Sequence, residues 1–273
     1  QEPASDLMIL NDFVTNANCF GESNGAINIT VDGGWGAYTY LWSNSSTTQN
    51  ISGLNANTYD VVVSDLYGCT VSGSFIVDEP NLLEANFVSI TDILCHGDNT
   101  GEINLGVIGG TTPYSYLWSN NSISEDLNSL TSGIYDVTVT DNNLCVITES
   151  IEIYETNEME FAINVIDIIC NGSSDGMIEV ITTGGTPIYS YLWSNGEISS
   201  DLSGIVAGVY SVTASDINGC SIDSTIIVVE PDTISIDYSQ TEILCSGDQN
   251  ASLDLNVYGG LAPYSYLWDN GTT

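Results

Sequence analysis

The chain has 273 residues, 36 of them Asp or Glu, a single His and no Lys or Arg, so its formal charge is −36 at pH 7. The acidic share is ordinary; the charge comes from the missing basic residues. Without cations there is no phosphate-binding surface, which excludes nucleic acid and anionic membranes as partners, and no Lys Schiff base, Arg clamp or Lys/Arg salt bridge. Such an acidic surface is soluble, repels copies of itself and attracts divalent cations.

An internal repeat sets the architecture. Cys19, Cys95, Cys170 and Cys245 form one evenly spaced series, and Cys69, Cys145 and Cys220 form a second series on the same period. The gap inside each complete pair is constant, and Trp42, Trp118, Trp193 and Trp268 each follow the first Cys at one fixed distance. A period this long predicts a tandem array of small domains. Residues 1–3 read as the tail of a preceding repeat, because Gln1-Glu2-Pro3 matches Asp78-Glu79-Pro80 and Val229-Glu230-Pro231. Repeat 1 is expected at 4–80, repeat 2 at 81–156, repeat 3 at 157–231 and a partial repeat 4 at 232–273. Both ends are expected to be cuts through a longer array. No stretch is apolar for long enough to span a membrane, so no direct membrane insertion is expected of this segment.

In chain order, each repeat reads as strand after strand. The segment after a junction alternates, as in Leu83, Ala85, Phe87, Val88, Ile90 and Ile93, and belongs to the following domain. Next come period-two runs such as Ile27 to Val31, Ile103 to Val107 and Leu253 to Val257. A Tyr-x-Tyr-x-Trp segment (Tyr38 to Trp42, and its counterparts ending at Trp118, Trp193 and Trp268) puts three aromatics on one face. Further alternating runs start at Tyr59, Tyr135 and Tyr210, and apolar runs such as Phe75 to Val77 close the repeat. Glycine pairs and Asn/Asp/Gly clusters punctuate these runs. Six or seven short strands in each repeat predict an all-β chain. The expected fold is a tandem array of small, disulfide-linked, immunoglobulin-like antiparallel β-sandwiches. With little free linker and like charge on each repeat, the array is expected to form an extended rod.

Small secreted domains often compensate a small core with disulfides. Pairing Cys19 with Cys69, Cys95 with Cys145 and Cys170 with Cys220 leaves no thiol unpaired in a complete repeat. Cys245 is then expected to be unpaired, because a partner at the same spacing falls beyond the sequence. The recurring Trp is expected to pack against the disulfide as an immunoglobulin core Trp does. No CxxC is present and the single His does not repeat, which argues against zinc.

The string C-x-G-x-x-x-G-x-I, followed by G-G-x-x-P-Y-x-Y-x-W-S-N and G-x-Y-x-V-x-V-x-D-x-x-x-C, resembles the SprB repeat. Repeat 2 shows it as Cys95, Gly97, Gly101, Ile103, Gly109-Gly110, Pro113-Tyr114, Tyr116, Trp118-Ser119-Asn120, Gly133, Tyr135, Val137, Val139, Asp141 and Cys145. Departures include Ala37 at the Pro position, Asn57 at a Gly position, and Leu144 where other repeats have Gly68 and Gly219. The resemblance implies a very large surface protein of Bacteroidetes, of the gliding-motility adhesin kind, exported by type IX secretion. It also links the chain to PKD-like and immunoglobulin-like surface sandwiches.

No catalytic residue is expected. His96 is replaced by Phe20, Asn171 and Ser246 in the other repeats, whereas a catalytic array would repeat its base. Glu125-Asp126 and Asp78-Glu79 read as solvated surface rather than a glycosidase pair. No cofactor is expected, with Ca²⁺ as an open alternative at Glu22, Asp98, Asp175 and Asp248 in the loop after the first Cys, where Asx turns are preferred. Asp65, Asp141 and Asp216, just before the second Cys, read as hairpin-turn residues. Ser224 and Thr233 lie in weak O-glycosylation signals, and Trp35 in the Gly-Gly loop is a candidate ligand contact.

The expected function is an extended structural and binding stalk within an extracellular, cell-surface adhesin or filament. Its partners would be surface polysaccharide, another extracellular ligand, or neighbouring copies. Two alternatives stand beside it. One is a spacer array displaying an enzyme or carbohydrate-binding domain elsewhere in the parent protein. The other is a polymerised fibre or sheath subunit. The missing Lys and Arg predict that boiled, reduced chain stays full length in trypsin while chymotrypsin cuts it; tryptic fragments would contradict this.

Overall fold

Alternating side chains leave a strand on opposite faces, so a period-two run buries one face and wets the other. The computed structural model describes residues 5–273 and contains no helix among them; the expected tail at 1–3 lies outside the described residues. Repeat 1 holds β1 (Met8–Thr15), β2 (Gly25–Asp32), β3 (Thr39–Trp42), β4 (Ile51–Leu54), β5 (Asn57–Ser64) and β6 (Thr70–Val77). Repeat 2 holds β7 (Glu84–Thr91), β8 (Gly101–Ile108), β9 (Ser115–Trp118), β10 (Leu127–Leu130), β11 (Gly133–Thr140) and β12 (Val146–Ile153). Repeat 3 holds β13 (Glu160–Ile166), β14 (Gly176–Thr183), β15 (Ser190–Trp193), β16 (Leu202–Ile205), β17 (Gly208–Ser215) and β18 (Ser221–Val228). Two more strands, β19 (Ser235–Thr241) and β20 (Ser252–Tyr258), follow.

Each six-stranded set forms two antiparallel sheets of three. In repeat 1 the orders are β1-β2-β4 and β3-β5-β6; repeats 2 and 3 have the same orders, and β19 pairs with β20 alone. The inner faces meet in a core. In repeat 1 that core is Ile27, Ile29, Trp42, Ile51, Leu54, Tyr59, Val61, Val63 and Val77. Repeat 3 repeats it with Ile178, Val180, Trp193, Leu202, Val212 and Val228. The buried indoles are satisfied: Trp42, Trp118 and Trp193 Nε1 each donate to a backbone carbonyl six residues on, at 2.8, 2.9 and 2.9 Å. The fold is thus a tandem array of β-sandwiches.

Each sandwich has two ends. At the head, the Gly-Gly loop meets the turn between the fifth and sixth strands. The first glycine of each pair is needed because a Cβ at Gly109 would lie 1.7 Å from Leu82 O. Tyr114 Oη donates to Gly109 O at 2.5 Å, holding that loop, and Tyr38 and Tyr189 repeat the bond at 2.6 Å. At the foot, the loop after the first strand meets the end of the sixth. Ala17 N donates to Asp78 O at 2.9 Å, and Ile168 N to Val229 O at 3.0 Å.

By internal contacts the chain divides into two compact units. One holds the residues up to Asp92 with Asn99–Tyr154; the other holds Ile93–Asp98 with Glu155–Thr273.

The head turn requires a left-handed residue before the second Cys. Gly68 and Gly219 supply it at φ 84° and 87°, whereas Leu144 is forced to φ 70°. A left-handed L-residue costs about 1–2 kcal/mol, and the exposed Leu144 side chain recovers little by burial. Leu144→Gly should therefore stabilise the chain by about 1 kcal/mol after the entropy cost of glycine, read as a rise of a few degrees in melting temperature. Unchanged or lower stability would contradict this account.

Candidate functional site

The recurring chemistry of the chain gathers where the foot of one repeat meets the head of the next. The two cysteines of a repeat lie at opposite ends. Cys19 follows β1 at the foot, beside Asp78. Cys69 immediately precedes β6, whose eight residues run from head to foot. Eight strand residues span roughly 25 Å, while a disulfide needs Cα atoms about 4.4–6.8 Å apart. The expected bonds Cys19–Cys69, Cys95–Cys145 and Cys170–Cys220 are therefore not formed. The bonds instead join different repeats: Cys19 to Cys145, with Cα atoms 5.7 Å apart, and Cys95 to Cys220, at 5.4 Å. Cys69, Cys170 and Cys245 are free and exposed. The expected packing of Trp42 and its equivalents against a disulfide is also corrected: the indoles sit in the cores, with Trp42 against Phe75, and the disulfides lie at the ends.

The rule is the same in both bonds. The first cysteine of one repeat pairs with the second cysteine of the next. In the first compact unit, Cys19 at the foot of repeat 1 meets Cys145 at the head of repeat 2. Here Asn143 Nδ2 donates to Asn18 O at 2.9 Å and to Thr111 Oγ1 at 3.1 Å. In the second compact unit the 93–98 loop meets the head of repeat 3. There Cys220 Sγ lies 3.2 Å from Leu94 O, and the same loop is held to the end of its own repeat, where Thr156 Oγ1 donates to Leu94 O at 2.9 Å and Ile93 bridges to Glu155.

A glutamate clasps each junction. Gly21 N donates to Glu79 Oε2 at 2.6 Å, Gly97 N to Glu155 Oε2 at 2.9 Å, and Gly172 N to Glu230 Oε2 at 2.7 Å. Two residues beyond each glutamate the chain is already held by the following repeat. Asn81 O accepts from Gly110 N at 2.9 Å, Asn157 O from Gly185 N at 2.8 Å, and Asp232 O from Gly260 N at 2.7 Å. No free linker remains between these anchors. These glutamates are functional positions missed by the sequence reasoning; their recurrence at 79, 155 and 230 on the cysteine period was the available signal.

His96 belongs to the same clasp. Its Nδ1 lies 3.3 Å from Thr156 O and 3.6 Å from Glu155 Oε1. In the next repeat Asn171 does the matching work, its Nδ2 donating to Pro231 O at 3.0 Å. In repeats 2 and 3 an imidazole or an amide thus reaches a junction carbonyl, while repeat 1 has Phe20 at this position, a side chain with no donor.

At each head an aspartate next to the second cysteine is buried and ties the loops together. Asp65 Oδ1 accepts from Tyr67 N and Cys69 N at 2.9 and 3.0 Å, and its Oδ2 from Trp35 N at 3.1 Å. Asp141 and Asp216 repeat the three bonds at 2.8–2.9 Å. This is a turn-fixing role. Burial raises the carboxyls of Asp65 and Asp216, but the N–H groups of the turn and the Gly-Gly loop outweigh it and hold both below the ordinary value of 3.8.

The other candidate residues are scattered. Glu22, Asp98, Asp175 and Asp248 are exposed. Glu22 accepts from Asn24 Nδ2 at 2.6 Å, and no group of three His, Cys, Asp or Glu in metal-holding geometry occurs among the described residues. Ser224 is half-buried in β18, and the Thr233 hydroxyl donates to Asn171 Oδ1 at 2.9 Å. Trp35 packs edge-on against Tyr67 with ring centroids 5.2 Å apart.

Two outcomes test this geometry. A carboxyl whose pKa is lowered by folding stabilises the fold above its unfolded value, and that contribution is lost as pH falls through the folded value. Asp65→Asn should lower the melting temperature at pH 7, and the deficit should shrink below about pH 4; a deficit that stays constant as the pH falls further would contradict it. Limited chymotrypsin probes the bonds. Tyr67, Tyr154 and Tyr238 are exposed. A cut after Tyr154 lies inside the Cys95–Cys220 loop and should release a fragment only on reduction, whereas a cut after Tyr238 should release one directly. Release at Tyr154 without reductant would rule out the Cys95–Cys220 bond.

The SprB repeat model matches residues 11–47, 88–122, 162–197 and 238–273, together slightly more than half of the chain. No curated protein sequence matches. Among solved structures, the N-terminal eight Ig domains of Down Syndrome Cell Adhesion Molecule align at 13% identity and TM-score 0.42, over 80% of this chain and 36% of that one. Sidekick-1 immunoglobulin domains 1–5 align at 10% identity and TM-score 0.34, over 83% and 60%. Surface layer protein SbsC, domains 4–9, aligns at 12% identity and TM-score 0.25, over 85% and 49%. The chain thus spans about a third of the first of these and under two thirds of the second. The four family matches recur once per repeat, and the chain belongs to the SprB repeat family.

Proposed function

We propose that this chain is a segment of a large repetitive cell-surface adhesin of the gliding-motility or attachment type, exported by type IX secretion. Its repeats, bounded near 80/81, 156/157 and 231/232, serve as a structural and binding stalk. The observation that carries the proposal is the junction. Each is clasped by a glutamate on one side and a backbone anchor two residues later on the other, and two disulfides run from repeat to repeat. Joints closed covalently in this way suit a segment that bears load. The surface carries no cation except the single His, so recognition rests on polar and apolar contacts with surface polysaccharide, another extracellular ligand or a neighbouring copy. Catalysis forms no part of the proposal.

Fab fragments raised against the chain supply the test. They should label intact, unpermeabilised cells and reduce cell attachment to a solid surface. Labelling only after permeabilisation would contradict a surface location. Labelling without any loss of attachment would favour the spacer array over the adhesin stalk.

A further inference from the structure

We propose that the hollow beside Cys95–Cys220 is an entry site for small thiols, uncharged or cationic, and makes this bond the readily reducible one of the two inter-repeat disulfides. The hollow, of about 380 Å³, lies within the second compact unit. It is lined by both cysteines together with His96, Thr156, Glu158 and Ser221.

The two bonds share their backbone setting. The carbonyls of Cys19 and Cys95 accept from Glu22 N at 3.1 Å and Asp98 N at 3.2 Å, and the N–H groups of Cys145 and Cys220 each donate to an aspartate at 2.9 Å. The side chains around the bonds differ. At Cys19–Cys145 the equivalent positions carry Phe20 for His96, Pro80 for Thr156, Leu82 for Glu158 and Val146 for Ser221. Polar groups thus surround one disulfide where ring and alkyl groups take the matching positions at the other.

His96 is the group that matters for exchange. Its Nδ1 lies 3.3 Å from Thr156 O, an atom that only accepts, so Nδ1 carries the proton and Nε2 is the basic nitrogen. An imidazole is matched to taking a proton from a thiol at neutral pH. The neighbouring carboxylates, Asp98, Glu155 and Glu158 at one bond and Glu22 and Glu79 at the other, are too weakly basic for that task. Phe20 supplies no base. Carboxylates with no Lys or Arg to offset them also repel an anionic thiol, which selects an uncharged or cationic one.

The exchange balances with two molecules of the small thiol. Nε2 takes the proton of the first, and its sulfur attacks Cys220 Sγ. The Sγ–Sγ bond breaks, and Cys95 Sγ leaves with the electron pair and receives the proton from His96. The second thiol attacks the small-molecule sulfur of the mixed disulfide and releases Cys220 as a thiol. Two small thiols are oxidised to their disulfide, and Cys95–Cys220 is reduced to two thiols. Reduction here alone opens the 95–220 loop and keeps the 19–145 loop closed, so thiols in the surroundings set how much of the chain's length is locked.

The test uses the full oxidised chain with its free thiols blocked by N-ethylmaleimide. It is exposed to cysteamine at neutral pH, quenched with iodoacetamide at intervals and mapped by mass spectrometry. Label should appear at Cys95 and Cys220 at least about threefold faster than at Cys19 and Cys145. His96→Asn keeps an amide of the kind with which Asn171 reaches Pro231 O but removes the base, and should bring the Cys95–Cys220 rate down towards that of Cys19–Cys145. Phe20→His should raise the Cys19–Cys145 rate and leave the other unchanged. The anionic thiol 2-mercaptoethanesulfonate, with each rate taken relative to that on a small uncharged disulfide, should be slower than cysteamine at Cys95–Cys220. Equal rates at the two bonds, a Cys95–Cys220 rate that His96→Asn does not lower, or faster reaction with the anionic thiol overturns the proposal. Should His96→Asn fail to fold, Phe20→His decides, and an unaltered Cys19–Cys145 rate overturns the proposal.

Discussion

An eight-residue strand holds the two cysteines of each repeat roughly 25 Å apart, and the covalent organisation of the chain follows from that distance. A bond within one sandwich would have to cross its full length. A bond to the next repeat is short because, within each compact unit, the loop after one repeat's first strand meets the fifth-to-sixth-strand turn of the next. The head carries Asp65, Asp141 or Asp216 locked onto its backbone, which fixes the second cysteine in position. The foot carries the glutamate clasp, which fixes the first. The disulfide therefore closes between two ends that are each shaped by hydrogen bonds to backbone N–H groups. In a chain without Lys or Arg, backbone N–H donors take over the charge-neutralising work that cationic side chains perform elsewhere.

The staggered bonds limit how far the chain can extend. The loops 19–145 and 95–220 overlap. A covalent route runs to Cys19, across to Cys145, back to Cys95, across to Cys220 and on to Thr273, using less than half of the residues. An unfolded but oxidised chain consequently reaches its limiting length well before a reduced one. Each closed loop also removes roughly 5 kcal/mol of unfolded-state entropy in the chain-entropy model; because the loops overlap, the two contributions are not independent. A tether that limits its own extension suits the stalk reading, and the absence of Lys and Arg adds indifference to trypsin-like proteases.

Much of the fold was legible in the sequence. Period-two alternation marked the strands, the Tyr-x-Tyr-x-Trp segments marked the core, and the even spacing of Cys and Trp marked the repeats. Asp65 and its equivalents stood beside the second cysteine in a turn composition, and the structure gives them that role. The disulfide partners were not legible. A constant gap between cysteines fits pairing within a repeat and pairing across repeats alike, since connectivity is not encoded in cysteine counts. The sandwich had to be built before the two cysteines could be seen at opposite ends. The glutamates were visible only as repeat endings, Glu79-Pro80, Glu155-Thr156 and Glu230-Pro231, and their bonds to the post-cysteine glycines come from a loop 58 residues away.

The most direct measurement is a disulfide map of the oxidised chain, alkylated without reduction and digested with chymotrypsin and a glutamyl endopeptidase, since trypsin finds no site. Linked peptides should join Cys19 to Cys145 and Cys95 to Cys220, with alkylated Cys69, Cys170 and Cys245. Peptides joining Cys19 to Cys69 and Cys95 to Cys145 would contradict the end-to-end geometry on which the account rests.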